Sequence, residues 1–191
     1  MKIVTTEDPP HQNSSKIAVV IIDMQEKLLQ EISLKYDLLK SVEILIQSAD
    51  LFGIPIVITE QAPNKLGGTD KSLYARVTKP TILAKKSFSV FGCDEFRNTI
   101  NTKDISHIIL AGLETSICIY LSALDALKCG INVTVLYDCV GARRDSDARI
   151  ALKKLEHAGC HIVALESFLY GYIENTDHPN FKEVTKLVRD R

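Results

Sequence analysis

Residues 17–23 read Ile-Ala-Val-Val-Ile-Ile-Asp, six apolar side chains in a row closed by an acid. Strict apolar/polar alternation would mark a strand with one wet face. A continuous apolar run this short marks a strand covered on both faces, as in a parallel sheet. The remainder of the chain should then alternate helix and strand, and it does. Residues from Glu26 to Phe52 are apolar at helical spacing, with a break near Ser33 and a stop at Gly53. "PIVIT" (55–59) reads as the second strand, and a polar loop rich in Gly and Pro follows to Pro80. "TILA" (81–84) is a third strand and residues 94–101 a helix. "HIILA" (107–111) is the fourth strand, with a helix over 116–129 behind it. Strand five covers 133–137, and the helix over 145–158 takes Asp145 or Ser146 as its cap. Strand six covers 162–165, and a helix near 179–189 closes the chain. The pattern predicts an α/β fold of three layers, α/β/α, with a six-stranded parallel sheet in the order 3-2-1-4-5-6.

Length and composition bound the function. The 191 residues suit one domain, expected over 16–191, behind a flexible leader over 1–15. The leader lacks the apolar core of a secretory signal, and no apolar run is long enough to span a bilayer. A cytoplasmic protein is therefore expected. The formal net charge of −1 gives no electrostatic reason to bind nucleic acid or a membrane surface. The five cysteines (93, 118, 129, 139 and 160) are odd in number and form no C-x-x-C pair, so neither a disulfide framework nor a zinc site is indicated. The histidines at 11, 107, 157, 161 and 178 show no ligand spacing, and no metal is expected. Gly67-Gly68 is not a phosphate loop, because no Lys-Ser/Thr follows it into a helix.

Ligands of open parallel sheets bind beyond the carboxyl ends of the strands, where strand order reverses. In the order above that point lies between strands one and four. Asp23, then Met24 and Gln25, follow strand one, and Glu60 and Gln61 follow strand two. Lys85 and Lys86 follow strand three, and the Gly112–Cys118 turn follows strand four. A cysteine in the first turn of a helix sits among unpaired N–H groups, which lower its pKa and make it nucleophilic. Each residue has an ordinary alternative. Asp23 can be an N-cap, a lysine a solvated surface charge, and a free cysteine a small buried hydrophobe. Arg143, Arg144 and Arg149 are either an acid-binding patch or plain ion-pair partners. An acid, a lysine and a thiol together at strand ends point to nucleophilic catalysis.

Four segments, in order, resemble the isochorismatase-like cysteine hydrolases over about residues 17–165. "VVIIDMQEKL" resembles the family's opening strand, "VITEQAPNKLG" the T-E-Q-x-P-x-x-L-G loop of the isochorismatase-domain-containing branch, and "LAKKSFSVF" its K-x-x-Y/F-S-x-F lysine segment. "GLETSICIYLSALDALKCG" resembles the G-x-x-T-x-x-C-V helix start. The resemblance implies Asp23 as acid/base, Lys85 rather than Lys86 as the catalytic lysine, and Cys118 as nucleophile. It implies a cis peptide at Leu113–Glu114 and an oxyanion hole made by the backbone N–H groups of Glu114 and Cys118. Gln25, Gln61 and Phe88 are expected to bind substrate. The expected reaction is hydrolysis of a small-molecule, amide-like C–N bond through a thioester, with no cofactor and in a homo-oligomer. No histidine lies between His11 and His107, which argues against a metal-dependent nicotinamidase. Cys118 argues against the isochorismatases proper, which lack that cysteine. Two other readings stay open: a non-catalytic binding protein, and a redox sensor in which Cys139 approaches Cys118.

Overall fold

The computed structural model describes residues 16–189; the expected leader, 1–15, lies outside the described residues. The six strands form one parallel sheet in the order β3-β2-β1-β4-β5-β6, the expected order. They are β1 (Ile17–Ile22), β2 (Ile56–Gln61), β3 (Thr81–Lys85), β4 (His107–Leu113), β5 (Asn132–Gly141) and β6 (His161–Val163). Strand β1 lies at the centre, paired with β2 through Ile22↔Thr59 and with β4 through Ile22↔Gly112.

The apolar run of β1 splits by pleat, because successive side chains point to opposite faces. Ile17, Val19 and Ile21 enter one core layer, and Ala18, Val20 and Ile22 the other. The first layer is closed by α2 (Lys35–Phe52), α8 (Leu165–Ile173) and α9 (Phe181–Arg189). The second is closed by α5 (Asp94–Thr102), α6 (Tyr120–Lys128) and α7 (Asp145–His157). Each fully buried Ile or Leu contributes about 2 kcal/mol of transfer free energy, so β1 alone anchors both layers.

The expected break near Ser33 separates α1 (Glu26–Leu29) from α2, and Gly53 ends α2 at φ 68°. Other boundaries differ from expectation. Strand β2 runs two residues further, to Gln61, because β3 continues the ladder to Gln61↔Lys85. Strand β5 extends through Cys139 to Gly141, since it resumes pairing with β4 at Gly112↔Val140 after a register shift. The polar loop after β2 holds two short helices, α3 (Pro63–Leu66) and α4 (Lys71–Tyr74). Helix α7 has Arg144 at its N-cap and no side-chain cap. The chain leaves the sheet after Val163 and forms α8, an element the sequence reading lacks. The apolar run from Ile162 to Leu165 does not distinguish a strand from a helix start, and Leu165, Leu169 and Ile173 bury at helical spacing.

Candidate active site

The site is built where β1, β2, β3 and β4 end together. Asp23 follows β1 with φ 54°, a left-handed turn that ends the strand. Its backbone N–H donates to the Thr59 carbonyl (3.0 Å), and the Thr59 hydroxyl donates to Asp23 Oδ1 (3.1 Å). Asp23 is therefore not an N-cap; its carboxylate turns inward. Lys85, the last residue of β3, is 3% exposed, while Lys86 beside it is exposed. The Lys85 ammonium donates to Asp23 Oδ2 (2.6 Å), Gln61 Oε1 (2.7 Å) and the Ser87 carbonyl (3.2 Å), and it lies 3.8 Å from Cys118 Sγ.

Strand β4 brings the thiol. Gly112 has φ 112°, and a Cβ there would sit 2.1 Å from the Ile22 carbonyl oxygen. Only glycine lets β4 pass that close to the end of β1. The Leu113–Glu114 peptide bond is cis. The next turn is not the α-helical start read from the sequence. Thr115–Ile119 is a single π-helical turn, with the Ile119 N–H donating to the Glu114 carbonyl (3.0 Å), and α6 begins only at Tyr120. Wide turns of this kind occur frequently at functional sites.

Cys118 is 6% exposed, and its sulfur accepts a hydrogen bond from the Glu114 backbone N–H. The expected lowering of its pKa does not occur. Burial, and then the Asp23 carboxylate, push the thiol up to about 12, against the smaller opposing pull of Lys85 and the Glu114 N–H. Burial also raises the Asp23 carboxyl, against the pull of Lys85 and of hydrogen bonds from Lys85, the Cys118 thiol and Thr59. At rest the thiol is thus neutral, and it faces the Lys85–Asp23 salt bridge.

The remaining expected residues fall into different roles. Gln25 is wholly buried, and its side chain is spent on backbone. Its Oε1 accepts from the Gln61 N–H (2.7 Å), and its Nε2 donates to the carbonyls of Gln61 (3.1 Å) and Gly67. It straps the loop after β2 instead of facing a ligand. Gln61 uses its Oε1 on Lys85 and its Nε2 on the Lys86 carbonyl (2.8 Å). Phe88 is 58% exposed, on the segment just beyond the Ser87 carbonyl that holds Lys85. Glu114 makes an ion pair with Arg143 (2.7 Å), which links the turn that carries Cys118 to the loop after β5, and Arg144 lies 3.9 Å from Asp147. Thr59 and Ser87 are the residues the sequence reading missed. The threonine lies inside an apolar strand run, and the serine contributes only a carbonyl, so neither carries a side-chain signal.

Cys139 packs in the core layer opposite that of Cys118. This placement on opposite layers speaks against the alternative in which Cys139 approaches Cys118 as a redox partner. Among the described residues no group of three His, Cys, Asp or Glu side chains is arranged to hold a metal ion. No helix among them is long and apolar enough to cross a membrane.

Comparison with known proteins agrees with this fold. The isochorismatase domain family matches residues 17–167. Isochorismatase domain-containing protein 2 of Danio rerio is 33% identical over 176 residues, covering 92% of this chain and 88% of that protein. Among solved structures, the MAR1 ribonuclease of Caenorhabditis elegans superposes with a TM-score of 0.86 at 32% identity, covering 93% of this chain and 91% of that one. The YcaC gene product of Escherichia coli, an octameric hydrolase of unknown specificity, shares the fold with a TM-score of 0.82 at 18% identity, covering 97% and 99%. The chain belongs to the isochorismatase family of hydrolases.

Proposed function

We propose that the protein hydrolyses a small-molecule, amide-like C–N bond, with Asp23, Lys85 and Cys118 acting as one unit. The observation that carries this reading is the buried Lys85 ammonium, 2.6 Å from Asp23 Oδ2 and 3.8 Å from Cys118 Sγ. A neutral thiol held at about 12 is a poor nucleophile by itself. Asp23 accepts its proton as the sulfur bonds to the carbonyl carbon, so the thiolate need not exist at rest. The backbone N–H groups of Glu114 and Cys118 stabilise the oxyanion, a contribution of roughly 3 kcal/mol per donor in other acyl-transfer enzymes. Asp23 then returns the proton to the leaving nitrogen as the C–N bond breaks, which leaves a thioester on Cys118. Water, deprotonated by Asp23, adds to the thioester and expels the thiolate, which recovers the proton. Lys85 keeps its charge throughout and offsets the negative charge that moves between Asp23 and sulfur. Every group in the cycle is a side chain or backbone amide, so no cofactor takes part.

A second reading comes from the MAR1 ribonuclease, whose likeness to this chain extends to sequence. RNA cleavage would need a groove for the phosphate backbone, and the net charge of −1 offers little for it. We also expect assembly into a homo-oligomer, as the octameric YcaC hydrolase does; light scattering on the purified protein reads this directly. A panel of small amides, ureas and nitriles, run beside single-stranded RNA, separates the two functions. The amide reading predicts turnover of a member of the panel that Cys118→Ala abolishes. Cleavage of RNA alone, with activity intact in Cys118→Ala, would overturn it.

A further inference from the structure

We propose that Gln61 is a positioning residue, whose side-chain oxygen fixes the Lys85 ammonium in the orientation that faces Asp23 and Cys118 together. The proposal rests on the reading of those three residues as a catalytic unit. The Lys85 side chain is fully buried, so its three N–H bonds have no water to meet and each needs a protein acceptor. Asp23 Oδ2 takes one at 2.6 Å and Gln61 Oε1 a second at 2.7 Å. The third points between the Ser87 carbonyl at 3.2 Å and Cys118 Sγ at 3.8 Å. With two directions pinned by strong acceptors, the third has little freedom, and it is the one that meets the thiol.

Gln61 is itself held at every polar atom. Its Nε2 donates to the Lys86 carbonyl at 2.8 Å, which sets the amide so that the oxygen, not the nitrogen, meets Lys85. Its backbone N–H donates to Gln25 Oε1, and its carbonyl accepts from Gln25 Nε2. Gln61 and Lys85 are also register partners of β2 and β3, so their side chains leave the sheet on one side. The Ala62 N–H donating to the Lys85 carbonyl (2.9 Å) closes the pair. Neutrality matters as much as place. An amide oxygen accepts a hydrogen bond from the ammonium without competing with Asp23 as a counter-charge. A carboxylate there would divide the ammonium between two anions and add negative charge beside a thiol that must ionise. This role differs from the substrate contact expected of Gln61, because its side-chain oxygen already serves Lys85.

The test reads Cys118 without needing the substrate. The folded protein is labelled with iodoacetamide from pH 6 to 10, and the rate at Cys118 is followed by peptide mass, in wild type, Gln61→Glu, Gln61→Leu and Lys85→Met. The proposal predicts that both Gln61 variants move the Cys118 curve to higher pH in the same direction as Lys85→Met. At pH 8 the Glu variant should label roughly tenfold more slowly than wild type, the effect of one pKa unit, and the Leu variant less so. A merely structural role would lower the melting temperature and leave the curve in place. If Lys85→Met shifts the curve and neither Gln61 variant does, the proposal is overturned and the catalytic reading survives. If Lys85→Met itself leaves the curve unmoved, the unit reading falls and this proposal with it. Should Gln61→Leu fail to fold, Gln61→Met keeps the shape of the side chain without a strong acceptor and takes its place.

Discussion

The two ends of the sheet bury ionisable groups in opposite ways. At the carboxyl end, Asp23, Lys85 and Cys118 are buried together, and the lysine donates to carboxylate, amide and carbonyl oxygens. At the amino end, His107 is buried with one partner, the Thr134 hydroxyl at 2.9 Å from its Nε2, and its Nδ1 has none among the described residues. Burial, and then His161, push His107 down to about 4, so it is neutral. A solitary buried group sheds its charge, while a paired one keeps it at the cost of desolvation. Gly112 contrasts with three glycines of the amino end in the same way, while Gly67, beyond β2, also has open space at positive φ. Gly53, Gly130 and Gly159, ahead of β2, β5 and β6, have positive φ and open space where a Cβ would stand. Gly112, at the carboxyl end, has Ile22 backbone there instead. The close approach at Gly112 brings β4 against β1 at the end where Asp23, Lys85 and Cys118 meet.

The largest effect should come from that glycine contrast. Gly112→Ala is expected to destabilise by more than about 4 kcal/mol, or to prevent folding, because the methyl would meet the Ile22 backbone. Gly130→Ala should cost only about 1 kcal/mol, the left-handed backbone alone opposing it. Similar losses at both positions in urea unfolding would erase the distinction. Next, Lys85→Met leaves Asp23 buried without its counter-charge and should cost about 3–5 kcal/mol. Adding Asp23→Asn should recover at least half of that loss; a double variant no more stable than the single one breaks the claim that charge is what the site end stores.

Acid separates the ends by sign. His107 has a folded pKa below its ordinary value, so its contribution is present above about 6.5 and is lost as pH falls towards 4. The loss amounts to about 3 kcal/mol, and His107→Leu should flatten that limb of the stability curve. Asp23, raised by burial, works the other way. Its cost is present when ionised and is relieved as pH falls through its folded pKa. Turnover should disappear over that same fall, because the protonated carboxyl no longer accepts the thiol proton. An acid limb of kcat/KM at the ordinary aspartate position would contradict the raised value. The smallest effect is at the surface. Arg143→Ala removes a pair whose arginine is half exposed, and it should change stability by less than about 1 kcal/mol.

The architecture was legible because the covered run of β1 stands among helical segments and further short apolar runs that alternate along the chain. That Asp23, Lys85 and Cys118 would meet was legible from where strands end and from the resemblance of four segments. Their electrostatics were not. The position of Cys118 in its turn suggested a lowered pKa, but burial and the facing Asp23 outweigh the local N–H groups, and neither is visible in linear order. The π-helical turn was hidden for a related reason: Ser116 to Cys129 has helical spacing, and one wide turn hardly disturbs it. Gln25 misled because a polar side chain three residues past a strand end is placed to face a ligand cleft, and here it satisfies backbone groups of a neighbouring loop.

The central claim is that Cys118 becomes covalently acylated while Lys85 holds the charge. The most direct measurement is acid-quenched mass mapping after brief exposure to p-nitrophenyl acetate, in wild type, Lys85→Met and Cys118→Ala. The account predicts an acetyl group on Cys118 in wild type, formed far more slowly in Lys85→Met, with the release of p-nitrophenol reduced to background in Cys118→Ala. Acetyl found only on the exposed Cys129, or p-nitrophenol released as fast without Cys118, would contradict it.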